Sequence, residues 1–132
     1  MQVQNIHSSQ NFNGVMNLGN RFNKKQSAAL SQIVPEITKI VEGKEKLVLN
    51  IDGSTRPDII SYSDEAPKYM HIWTQVRPAT VPTAKIVIQG EDSKIISKIV
   101  NNIISEHENS DFYKKSIEKK SIIQKIKEIF IK

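Results

Sequence analysis

The 132-residue chain carries 25% charged and 38% hydrophobic residues with a net charge of +5. That length suits one domain able to bury roughly two-thirds of its unfolded surface. It has no cysteine, which excludes disulfides, thiolate metal sites and a cysteine nucleophile. No apolar run approaches the ~20 residues needed to span a bilayer, and the N-terminus lacks a charged-then-apolar leader, so a cytoplasmic protein is expected.

Residues 1–11 are polar and aperiodic and read as a flexible tail; residues 12–132 form a single α+β domain. Residues 12–18 (FNGVMNL) suit a short edge strand with Met16 and Leu18 on one side, ended by Gly19-Asn20. The stretch NFNGVMNLGNRF resembles the FxG-type start of small uncharacterised proteins from gut-associated bacteria, which continue with a helix and a β block. The resemblance covers the layout alone and implies no activity.

Lys25 to Val41 is an amphipathic helix, with Leu30, Ile33, Val34, Ile37 and Val41 at helical spacing. Pro35 falls on its polar side, where it kinks the helix near Ser31–Val34 without dividing it. Gly43 supplies the stop.

Residues 46–89 alternate with period two and read as an antiparallel four-stranded meander, with 12–18 as a candidate fifth strand. The first strand, Lys46 to Ile51, points Leu47, Leu49 and Ile51 one way and ends at an Asp52-Gly53 turn. Asp58 to Ser63 is the second strand, followed by the turn Asp64-Glu65-Ala66-Pro67. In the third, Tyr69 to Val76, Met70, Ile72 and Val76 face the core. Tyr69, His71, Trp73 and Gln75 fall on the opposite face. The fourth, Ala84 to Gln89, gives Ala84, Ile86 and Ile88 to the core and Lys85, Val87 and Gln89 to the other side.

Asp92 and Ser93 cap a helix from Lys94 to His107. Ile95, Ile96, Ile99, Val100, Ile103 and Ile104 cover half its circumference, a face wide enough to be buried against the sheet. His107, in its last turn, is placed to meet free carbonyls. Asn109-Ser110 restarts a basic terminal helix over 110–131. Residues 1–109 carry 12 Lys/Arg against 11 Asp/Glu, and residues 110–132 carry 7 against 3. The first two helices are expected to cover one sheet face, with the terminal helix crossing the other or an edge. Its stripe of Ile122, Ile126, Ile129 and Phe130 needs a cover. Lysines around that stripe would repel a twin, which favours a monomer over a homodimer.

No phosphate-binding glycine loop and no metal-ligand spacing occurs, and His7, His71 and His107 lie far apart in sequence. His71 with Ser61 or Ser63 is the one pairing that nucleophilic catalysis could use, and strand pairing makes such neighbours common. No cofactor, metal or catalytic residue is expected. What remains is an aromatic and polar sheet face: Tyr69, His71, Trp73, Gln75 and Lys85, with Arg56 and Arg77 at its loops. It suits a small non-enzymatic interaction protein with a protein partner. The alternative is nucleic-acid binding through Lys114, Lys115, Lys119, Lys120 and Lys125, although Glu118 and Glu128 interrupt that basic line.

Overall fold

The computed structural model describes residues 13–61, 63–90 and 92–116. In chain order these give strand β1 (Val15–Leu18), helix α1 (Lys24–Glu42), strands β2 (Leu47–Ser54), β3 (Tyr69–Val76) and β4 (Pro82–Ile88), and helix α2 (Ser93–Asn109). Helical backbone resumes over 111–116. The fold is α+β, with one four-stranded sheet in the order β1-β2-β3-β4.

The sheet is mixed rather than an antiparallel meander. β2–β3 and β3–β4 are antiparallel, but β1 runs parallel to β2, with Val15 opposite Val48 and Leu18 opposite Ile51. Short connections dictate antiparallel pairing only within 46–89. Between β1 and β2 stands the whole of α1, a crossover long enough for a parallel pair.

The expected strand at Asp58–Ser63 does not form, so the sheet has four strands among the described residues, the 12–18 stretch supplying one of them as β1; the described part of 55–68 is a loop. One hydroxyl explains why. Ser54 Oγ accepts from the backbone N–H of Arg56 (3.1 Å) and of Ser61 (2.8 Å), and donates to the Ile59 carbonyl (2.7 Å). Backbone groups that a strand would offer to a ladder are thereby bonded to a side chain.

Nor does β2 turn at Asp52-Gly53; it continues through both to Ser54, and all three are buried. Gly53 is required there by proximity. A Cβ on it would lie 1.9 Å from the carbonyl oxygen of Arg21. β4 likewise begins earlier than expected, at Pro82, which suits a residue without an N–H at the start of a strand. A bulge between Thr74 and Gln75 absorbs the change of register.

α1 is a single helix through Pro35. Its N-terminus is closed by a capping box: Asn23 Oδ1 accepts from the Gln26 N–H (2.7 Å), and Gln26 Oε1 accepts from the Asn23 N–H (2.9 Å). Gly43 ends the helix in right-handed geometry (φ −82°), and the left-handed residue is Lys46 (φ 62°). In α2, Asp92 Oδ1 accepts from the N–H groups of Lys94 and Ile95.

Both helices pack on the same sheet face. Leu30, Ile33, Ile37 and Val41 of α1 and Ile96, Val100, Ile103 and Ile104 of α2 share one core with Leu47, Leu49, Ile51, Met70 and Ile72. Ile86, expected in that core, is 37% exposed because β4 is an edge strand with no further strand beside it among the described residues. The stripe Ile122, Ile126, Ile129 and Phe130 and the expected course of the terminal helix lie outside the described residues.

Gly53→Ala should lower stability by about 1–3 kcal/mol, because the backbone at Arg21 must give way. Gly90→Ala, whose Cβ meets nothing within 4 Å, should change it by less than about 0.5 kcal/mol. Urea unfolding of the two variants beside the parent chain measures both.

Candidate binding face of the sheet

Strand alternation turns Asn17, Asn50, Asp52, His71, Trp73, Gln75, Lys85 and Val87 away from the helices. Three of these form an amide ladder. Asn17 Nδ2 donates to Asn50 Oδ1 (3.1 Å), Asn50 Nδ2 donates to Gln75 Oε1 (3.0 Å), and Gln75 Nε2 donates to the Thr80 carbonyl (2.8 Å). The ladder ties β1, β2 and β3 across their open face and satisfies polar groups that would otherwise be costly to cover.

The loop 55–68 folds against the same face. His71 Nε2 lies 2.9 Å from the carbonyl oxygen of Arg56. A carbonyl only accepts, so Nε2 carries the proton. This ring is bonded to backbone, not to Ser61 or Ser63. Ser61 donates its N–H to Ser54, and Ser63 Oγ accepts from the Glu65 N–H. Arg56 binds Asp58 with two nitrogens, at 3.0 and 2.6 Å. That contact holds the Asp58 carboxyl below its usual range, though both groups are more than half exposed and the pair adds little stability. At its far end the loop is held by Asn23 Nδ2 on the Pro67 carbonyl (2.8 Å) and Arg21 on the Ser63 carbonyl (3.0 Å).

Two hollows result, one on each side of the half-buried Trp73. The first, about 400 Å³, has Pro57, Asp58, Ile59 and Ile60 of the loop on one side and His71, Trp73, Pro82, Lys85 and Val87 of the sheet beneath. The second, about 410 Å³, is lined by Asn17, Leu18, Gly19, Asn50, Asp52, Ile60 and Trp73. Trp73 and Ile60 border both. These volumes fall within the usual range of small-ligand sites.

Of the residues singled out from the sequence, the structure brings His71, Trp73 and Lys85 together. Lys85 stands directly opposite Trp73 in the β3–β4 register. Gln75 is occupied in the ladder. Tyr69, opposite Ser54, borders neither hollow. Arg77 is elsewhere, donating to the Asn13 carbonyl (2.6 Å) beside a separate depression near α1. Ile59 and Ile60 were missed as site residues because Asp58–Ser63 reads as a strand, and Pro57 because it reads as part of the connection before it. Asn50 could have been found: it is the polar residue at an outward position within LVLNI. Among the described residues no group of three or more His, Cys, Asp or Glu is placed to hold a metal, and no helix is long and apolar enough to cross a membrane.

His107 does not serve the helix-end carbonyls. Ser110 takes the His107 carbonyl with its N–H (3.1 Å) and its hydroxyl (2.7 Å). The imidazole is fully buried instead, with Nδ1 2.6 Å from Thr83 Oγ1, which is 2.8 Å from Thr74 Oγ1. Nε2 has no hydrogen-bond partner among the described residues. Tyr113 packs on the ring at 4.6 Å. Burial pushes the His107 pKa down, against the pull of nearby Glu108.

No protein-family model matches the chain, no curated protein is significantly similar in sequence, and no solved structure matches its fold.

The His107 environment gives a pH dependence with a definite sign. In the unfolded chain the group titrates near 6.5, and in the fold it titrates lower. Between the two values the unfolded chain binds more protons, so stability rises with pH across that window. Stability should fall as pH drops below about 6.5, and His107→Gln should flatten that part of the curve. Urea unfolding at a series of pH values reads the slope.

Proposed function

We propose that this protein is a small, non-enzymatic binding protein that holds its partner on the open sheet face around Trp73, with a protein as the main partner. The observation that carries this reading is the position of Trp73. The chain's one tryptophan lies between two hollows rather than in the core between sheet and helices. Aromatic side chains so placed supply much contact area at low entropic cost, and interfaces are enriched in them. Around it the amides are bonded to one another and His71 is bonded to the loop. That arrangement favours a rigid surface over a proton-transfer centre.

The test compares the parent chain with Trp73→Ser, each immobilised and offered an extract of the native host. A partner retained by the parent and lost by the variant is expected. Retention that ignores Trp73, at matched folding stability, would reject the reading.

A second reading, nucleic-acid binding, draws on the excess of Lys over acidic residues in 110–132. Lys114 and Lys115 are exposed at the described start of that segment; Lys119, Lys120 and Lys125 lie outside the described residues. It requires oligonucleotide affinity that falls steeply with added salt and is reduced by Lys114→Glu.

A further inference from the structure

We infer that the hollow over β3 and β4 takes an aromatic compound bearing one negative head group, with its ring against Trp73 and its charge at Lys85. This rests on the reading of the Trp73 face as the binding surface and specifies what that face accepts.

The walls supply the apolar part. Pro57, Ile59 and Ile60 on the loop side and Val87 and Pro82 on the sheet side leave the indole of Trp73 bordering about 400 Å³. That space suits a one- or two-ring body lying offset or edge-on to the indole.

The polar part follows from which groups are already engaged. His71 Nε2 is bonded to the Arg56 carbonyl. Asp58 also lines the hollow, but its charge is matched by Arg56. Lys85 lines the hollow opposite Trp73, is exposed, and takes part in none of the ion pairs or hydrogen bonds among the described residues. The hollow therefore has an apolar interior and one uncompensated positive charge at its border. A cationic ligand would meet that charge unfavourably, a neutral ring would leave it unused, and an anion completes it.

The experiment uses the full chain labelled with ¹⁵N, because a single tryptophan gives a single indole N–H resonance. Four compounds with one ring system are titrated at low salt: 2-naphthoate, 2-naphthyl phosphate, 2-naphthalenemethanol and 2-naphthylmethylamine. Both anions should move the Trp73 resonance and bind about two- to fivefold tighter than the alcohol, the range an exposed ion pair supplies. The amine should bind weakest, and the tighter anion names the head group. Lys85→Glu, on an exposed side chain, should reverse the order in favour of the amine while the rest of the spectrum stays folded.

Equal binding of all four, or an order that survives Lys85→Glu, overturns the inference. So does an indole resonance that none of the compounds moves. Should that occur while Trp73-dependent partner capture persists, the ligand class is wrong and the binding face stands. If both fail, the face itself is not the site.

Discussion

β2 is buried along nearly its whole length, and on its two faces by different chemistry. On the helix side Leu47, Leu49 and Ile51 are at most 1% exposed. Each contributes about 1.5–3 kcal/mol of hydrophobic stabilisation. On the other side stand Asn50, Asp52 and Ser54, at 9% exposure or less. Covering polar groups is unfavourable unless they are bonded. The cover over this side of β2 must therefore be polar and specific. The amide ladder supplies it at Asn50, and the loop 55–68, gathered on the Ser54 hydroxyl, supplies it at the strand's end.

The proposed binding face is a by-product of that requirement. The ladder draws Asn17 and Gln75 toward Asn50 and leaves Trp73, directly opposite Asn50 on β3, beside the loop. The loop brings Ile59 and Ile60 to the indole because Ser54 fixes the backbone on either side of them. The parallel β1 closes the far side, and Gly19, just past its end, leaves room for the Asp52 carboxylate, because a Cβ there would fall 1.9 Å from Asp52 Oδ1. Core, ladder and the second hollow thus share β2, while the first hollow lies over β3 and β4.

Much of this was legible in the residues. Period-two alternation separated Met70, Ile72 and Val76 from His71, Trp73 and Gln75, and the same parity put Lys85 on the Trp73 side. Helical spacing located α1 and α2 to within two residues at either end. Alternation gives the face of a residue but not its height along the strand, so Tyr69 and Arg77 could not be told from true neighbours of Trp73. The loop was misread because DIISYS alternates as a strand does. The hydroxyl that diverts it sits on Ser54, outside the segment. The direction of β1 depended on the crossover through α1, and the place of His107 on a contact with Thr83, 24 residues away at a bulge. Local pattern carries neither.

The central claim is that Trp73 stands at an accessible face rather than under a covering layer. Iodide quenching of its fluorescence in the full-length chain tests this directly, since no other tryptophan contributes. A half-buried indole beside Lys85 should still be reached by this anion, and Lys85→Glu should weaken the quenching. Emission that iodide cannot reach in the folded chain, and reaches only after unfolding, would contradict the account.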